Sequence, residues 1–188
     1  MNAKEVVEKS RIATFETKTL TKHFEFQKSP DIEIIDNNFT IRAEIVEVLL
    51  EDFSNKDVEL IRLLFHEEFK CVLETGRNLC LYQLCFYLYN LGNLEDIYRV
   101  YSAKYGGNNM DVQISIDRSM LYMNTTIERV INYVENDFKT KESNKKKYPE
   151  ILTKLYDLKE EPDYESEEAY NLFISGYFYG HQNIGKNN

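Results

Sequence analysis

The triplet His66-Glu67-Glu68 is the part of this sequence that comes closest to a metal site. A zinc-protease helix needs a second histidine four residues after the first, so that both imidazoles lie on one face, but Lys70 stands there. A di-iron bundle pairs a glutamate with a histidine three residues later, and Leu63 occupies that earlier position. The triplet therefore predicts a solvated helix face, and we expect neither a metal nor another cofactor.

The three cysteines, Cys71, Cys80 and Cys85, are the candidates for covalent chemistry. A cysteine nucleophile needs a nearby base and partial exposure. These cysteines lie in apolar segments without Cys-x-x-Cys spacing, where burial raises the pKa of a thiol. We expect reduced, inert core thiols and no catalytic residue, since His23 and His181 lie in a predicted arm and tail.

Two short segments bear on anion binding. Gly106-Gly107 lacks the lysine and the Ser/Thr that a phosphate loop needs, so it predicts a turn. The cluster Lys145-Lys146-Lys147 either contacts an anionic partner or is simply solvated, and its isolation in an acidic chain favours the solvated alternative.

Tyrosines and carboxylates lie close together in the middle of the sequence, a combination suited to recognition of a basic protein surface. Tyrosine supplies a large contact area at a low cost in conformational entropy. The alternative is that the tyrosines are core residues and the acids are solvated or cap helices, with Asp111 as an N-cap. The candidate partner-binding residues are Glu95, Asp96, Tyr98, Tyr105, Asp111, Asp117 and Tyr122.

The composition limits the classes of partner. The chain has 188 residues, 32 acidic against 23 basic, and a net charge of −9, which argues against a general nucleic-acid binder. It contains 14 Tyr and 11 Phe but no Trp. The charged N-terminal sequence lacks the apolar region of a signal peptide, and no apolar run reaches 18 residues. We therefore expect a cytoplasmic protein with no membrane contact.

The run at residues 79–91 is apolar on nearly every side, as in a helix that other helices surround. Gly92-Asn93 reverses the chain, and an amphipathic helix follows as far as Tyr105. This pattern predicts an all-α single domain, residues 1–188, built of antiparallel helical hairpins stacked around the central helix.

Residues 1–38 are predicted to form an extended N-terminal arm with a short helix near residues 4–12. The triplets at 24–26 and 32–34 alternate with period two, which fits short strands or an arm lying on the helices. Residues 110–123 fit a strand or a helix, and their helical neighbours favour the helix.

The C-terminal third shows further helix signals. Asn124 or Thr125 is predicted to cap a helix that continues to Phe138. Residues 139–148 are expected to be a solvated linker, followed by a helix at about 149–158. Ser166 is predicted to be the N-cap of the last helix, and residues 181–188 a flexible tail.

Residues 88–101 resemble a tetratricopeptide-type helical hairpin, through the turn LGNLED at 91–96 and the aromatic Tyr101. The sequence departs from that family at Cys85 and Ile97, where the family has Gly and Ala for close helix packing. No second copy occurs at a 34-residue period. The resemblance implies hairpin stacking that is tetratricopeptide-like without a true repeat array.

Residues 79–136 are also similar to small bacterial all-helical immunity proteins. The similarity lies in the order LGNLEDIYRVYSAKY, then DVQISID, then TTIERVINYVEND. It implies a toxin-neutralising role in polymorphic or contact-dependent toxin systems and brings no catalytic residue with it.

Three functions follow as hypotheses. The first is a non-enzymatic immunity protein that binds a basic toxin domain through the tyrosine-bearing acidic residues. The second is a hairpin scaffold or peptide-binding adaptor without a toxin partner. The third, an enzyme, requires a deep pocket where His66 and carboxylates converge.

Overall fold

Helices are the regular elements of this protein throughout residues 1–29, 36–107 and 109–180, which the computed structural model describes. They belong to one all-α domain, which confirms the predicted fold class. Short 3-10 segments lie between them at Thr17–His23, Asn55–Asp57, Leu94–Asp96 and Arg118–Tyr122. The α-helices are α1 (Ala3–Ser10), α2 (Phe39–Leu50), α3 (Val58–Thr75), α4 (Leu81–Leu91), α5 (Ile97–Tyr105), α6 (Met110–Ser115), α7 (Ile127–Thr140), α8 (Glu142–Lys147), α9 (Ile151–Glu160) and α10 (Glu167–Tyr179).

Helix α4 is the buried central helix that its apolar composition predicts. It packs against α3 and α5, and its Phe86 ring stacks on Phe178 of α10 at a centroid distance of 4.2 Å. The Tyr87 hydroxyl donates a 2.7 Å hydrogen bond to the carbonyl of Val46 on α2. The helix begins two residues later than predicted. The N–H groups of Leu79 and Cys80 instead donate to the Glu68 carboxylate.

Two glycines make the turns on either side of α4. Gly76 ends α3 with φ = 73°, and Gly92 ends α4 with φ = 65°. Residues with a Cβ are strained at such angles, so glycine is the residue that lets each helix stop and the chain reverse. The chain reversal predicted at Gly92-Asn93 is confirmed.

The short helix predicted near residues 4–12 is confirmed as α1, but the rest of the first 29 residues is not the predicted extended arm. Helix α1 packs on α2, and the segment from Thr17 to His23 packs on α3. Val6 and Phe24 are fully buried, because these apolar side chains have partners in the core that alternation alone does not reveal. Strand-like pairing is limited, in the described residues, to one isolated bridge between Lys28 and Asp36. The triplet at 32–34 lies outside the described residues.

A buried ion network ties the segment before α2 to α3. The Arg42 guanidinium lies 2.6 Å from the Asp36 carboxylate and 2.8 Å from that of Glu68, and all three side chains are almost inaccessible to solvent. Arg42 also donates to the carbonyl of Phe24 at 3.2 Å. Burial opposes the charge on Arg42, yet Glu68 and Asp36 together raise the pKa of its guanidinium. The ion pairs and hydrogen bonds of this network compensate for the hydration that the three charged groups lose when they are buried.

The ambiguous region after residue 109 is helical, as its neighbours favour, but its caps differ from the predicted ones. The Asn109 side chain accepts from the N–H groups of Asp111 and Val112, so Asp111 is not the N-cap of α6. Thr126, rather than Asn124 or Thr125, caps α7. Asn124 has φ = 50°, a left-handed conformation that turns the chain before the cap.

The predicted linker at 139–148 contains helix. Helix α7 continues to Thr140, and α8 follows with no buried residue, so the segment is solvated as expected but not irregular. The next helix, α9, begins at Ile151. Ser166 caps α10 by accepting from the Ala169 N–H at 3.1 Å, which confirms that prediction. The predicted tail at 181–188 lies outside the described residues.

Candidate protein-binding surface

Both acidic residues of the α4–α5 turn, Glu95 and Asp96, form ion pairs with arginine. Asp96 is fully buried and receives Arg62 from α3 at 2.8 Å and Arg99 from α5 at 2.7 Å. Glu95 is 61% exposed but pairs with the same Arg62 at 2.5 Å. These contacts hold the turn against α3. Glu95 and Asp96, which were predicted to contact a partner, therefore stabilise the fold.

The three tyrosines of the predicted site lie in or at the core. Tyr98 is buried, donates to the Asp137 carboxylate at 2.6 Å and stacks on Tyr148 at 4.7 Å. Burial and this hydrogen bond raise the pKa of Tyr98 well above its usual value. Tyr122 is also buried. Tyr105 is half-buried with its ring 5.7 Å from the Lys154 ammonium.

The remaining two residues of the predicted site, Asp111 and Asp117, lie in different environments. Asp111 is exposed at the start of α6. Asp117 is half-buried and accepts the hydroxyls of Tyr82 at 2.8 Å and Tyr170 at 3.3 Å. The seven residues therefore do not form one exposed surface, since buried tyrosine hydroxyls need acceptors and recruit carboxylates to the interior.

The three residues of the triplet His66-Glu67-Glu68 on α3 have different environments. His66 is 74% exposed, with Nε2 3.9 Å from the Glu67 carboxylate. Glu67 is turned inward and accepts the N–H of Phe26 at 2.9 Å, while Glu68 belongs to the Arg42 network. The predicted solvated face is therefore correct for the histidine and wrong for both glutamates. Within the described ranges, no three His, Cys, Asp or Glu side chains form a metal-holding group.

The three cysteines are core residues, as predicted. Cys71, Cys80 and Cys85 are buried and unbridged. Burial raises the pKa of all three thiols, which keeps them protonated and unreactive at neutral pH.

An exposed acidic and aromatic segment occurs instead in the loop between α9 and α10 and in the adjoining parts of these helices. We call it the acidic face. No Lys or Arg of the described residues pairs with the side chains of Glu160, Glu161, Glu165 or Glu168. Leu172 is 56% and Phe173 45% exposed beside them. The acidic face consists of Glu160, Glu161, Asp163, Tyr164, Glu165, Glu168, Leu172 and Phe173.

The loop within the acidic face is held in place by contacts at both of its ends. Arg118 donates to the Asp163 carboxylate at 2.8 Å and to the carbonyl of Glu161. The Tyr164 ring lies 5.3 Å from that of Phe173, which joins the loop to α10. The Ser166 cap orders the start of the helix. A fixed loop loses little conformational entropy when a partner binds.

A sequence signal for this surface exists in the run DLKEEPDYESEE at residues 157–168, where seven of twelve residues are acidic. The run contains a single tyrosine, whereas the region around Tyr98 has many. The number of tyrosines is a poor guide to a binding surface here, since twelve of the fourteen are buried in the core or packed against it.

Comparison with known proteins yields no relative. No family model matches the chain, and neither a curated protein nor a solved structure matches it. Among the described helices, none combines the length and apolar composition that crossing a membrane requires.

Proposed function

We propose that this protein is a non-enzymatic immunity protein that neutralises a cognate bacterial toxin by binding a basic domain of it. The observation that carries the proposal is the acidic face, where four exposed glutamates without a Lys or Arg partner among the described residues occur in one segment with the exposed side chains of Leu172 and Phe173. The proposal places the protein in the cytoplasm, where its thiols stay reduced. The resemblance of residues 79–136 to immunity proteins supports it, and so does the tetratricopeptide-like turn between α4 and α5.

The two kinds of side chain on the acidic face have different roles in this proposal. Clustered carboxylates steer a basic partner toward the surface and raise its association rate. Apolar side chains at the centre of an interface supply most of the binding free energy once water is excluded. A basic toxin domain with an apolar patch among its lysines and arginines is the partner that this arrangement fits.

The test compares two triple variants of the affinity-tagged protein. In the first, Glu160, Glu161 and Glu165 of the acidic face are changed to lysine. In the matched control, three exposed glutamates on α1, α2 and α3 undergo the same change, so that both variants carry the same net charge. The control positions are Glu8, Glu44 and Glu74.

We expect the wild-type protein and the control variant to co-purify one stoichiometric partner from the native host. The acidic-face variant should lose it while its circular dichroism spectrum stays unchanged. Expression of that partner should then stop cell growth, and the wild-type and control proteins should restore it. Restoration of growth by the acidic-face variant would disprove the surface assignment, and a non-toxic partner would favour the scaffold hypothesis.

The apolar part of the face is tested separately with Phe173→Ala, which leaves the charge unchanged. A residue at the centre of an interface costs about 2 kcal/mol or more of binding free energy when truncated. Titration calorimetry with the purified partner measures this loss. An unchanged dissociation constant would place Phe173 outside the interface.

A further inference from the structure

A cleft with an aromatic wall lies at the other end of α9 from the acidic face. Helices α3, α5 and α8 and the 3-10 segment Thr17–His23 surround it, and its volume is about 540 Å³. This volume lies within the usual range of ligand sites, about 300–1,000 Å³. The aromatic side chains that line it are Phe65, Phe69, Tyr98 and Tyr148.

The charged lining of the cleft is mainly basic, although the whole chain carries a net charge of −9. Arg62 and Arg99 are engaged by Asp96, whereas Lys18 and Lys147 pair with no carboxylate among the residues described. Two glutamates also line the cleft, and one of them, Glu95, is paired with Arg62. The other, Glu59, is exposed and pairs with no Lys or Arg among the described residues, so two unpaired lysines against one unpaired carboxylate leave a net positive charge for a ligand.

Helix α8 extends the basic surface beyond the cleft. Its last turn carries Lys145, Lys146 and Lys147, and none of its six residues is buried. The ten residues of α9 separate this surface from the acidic face by about 15 Å, at 1.5 Å per helical residue. The molecule thus presents opposite charges at the two ends of α9.

We propose that the cleft binds an acidic peptide segment of a second protein, with an aromatic side chain of that segment against the half-buried ring of Tyr148. Lys18 and Lys147 receive the carboxylates of the peptide. The run of lysines on α8 suits a ligand longer than the cleft itself. A peptide fits better than a nucleic acid, because a net charge of −9 repels a long polyanion. This proposal does not depend on the acidic face or on a toxin.

The test is fluorescence anisotropy with a dye-labelled peptide of glutamate and phenylalanine in alternation, at low ionic strength. The double variant Lys18→Glu, Lys147→Glu should bind it at least roughly tenfold more weakly than the wild type, because two charge contacts become repulsive. The matched control Lys4→Glu, Lys56→Glu makes the same charge change at exposed positions outside the cleft and should bind like the wild type.

Two further probes define the ligand. A peptide with alanine in place of phenylalanine should bind more weakly, because it loses its contact with the aromatic wall. Added salt should weaken the binding of both peptides. An equal loss in both double variants, no binding at low salt, or tighter binding of a single-stranded oligonucleotide would each overturn the proposal. Circular dichroism of each variant confirms that the fold is intact.

Discussion

Replacement of Arg42 by methionine tests whether the buried ion network is a main determinant of stability. The change removes the one cation that faces Asp36 and Glu68 while keeping a long side chain in place. Both carboxylates retain backbone donors, Leu79 N–H at 2.7 Å for Glu68 and Asn38 N–H at 3.0 Å for Asp36, so they are not wholly deprived of partners.

Removal of one partner from a buried ion pair costs about 3–5 kcal/mol of unfolding free energy. For a chain of this length, each kcal/mol lowers the melting temperature by roughly 2–4 °C, so Arg42→Met should lower it by about 6–20 °C. A loss of this size is a large fraction of the roughly 5–15 kcal/mol that stabilises an ordinary domain.

Urea denaturation followed by far-ultraviolet circular dichroism measures the loss. Lys159→Met is the control, because Lys159 pairs with Glu128 where both side chains are about half exposed, and such pairs contribute about 0–1 kcal/mol. A triple variant that adds Asp36→Asn and Glu68→Gln should recover part of the stability, since no buried charge is then uncompensated. If Arg42→Met costs no more than Lys159→Met, the reasoning about this network is wrong.

Three other predictions concern a turn, a carboxylate and a thiol. Gly92→Ala should cost about 1–2 kcal/mol in urea denaturation because of its positive φ, whereas Gly107→Ala, without positive φ, should cost much less. Burial opposes the charge on Asp137, but hydrogen bonds, led by that of Lys141, lower the pKa of this carboxylate below its value in the unfolded chain. The free energy of unfolding should therefore fall as the pH drops below about 4, and Asp137→Asn should make that fall smaller. Cys85 should react with a thiol reagent only as fast as the protein unfolds, so equal labelling rates in native and urea-unfolded protein would contradict its burial.

Local patterns accounted for much of the fold. The apolar run at residues 79–91 predicted a central helix, and Gly92-Asn93 predicted the turn after it. Ser166 predicted the start of α10. Each of these signals depends on residues within a few positions of one another, which share one turn or one helix face.

Several of the predictions that were wrong depended on distant partners, whereas the misplaced caps of α6 and α7 were local errors of one to two residues. The N-terminal residues alternate like a strand, yet Phe24 is buried in the helical core through contacts that lie far along the chain. Glu67 and Glu68 look like solvated residues beside His66, but the N–H of Phe26 donates to Glu67 and Arg42 of α2 donates to Glu68. Helical periodicity cannot report such pairings.

The sequence by itself determined the helical hairpins, the buried central helix and the inert thiols, because hydrophobic periodicity and turn chemistry act between near neighbours. Only the tertiary structure decided which acids stay exposed. Tyr98 bonds to Asp137, 39 residues away in the sequence, and Arg62 bonds to Asp96, 34 residues away. These contacts hold Tyr98 and Asp96, two of the candidate binding residues, in the interior. The glutamates of the acidic face remain at the surface because packing brings them no cation, and that outcome is a property of the assembled helices.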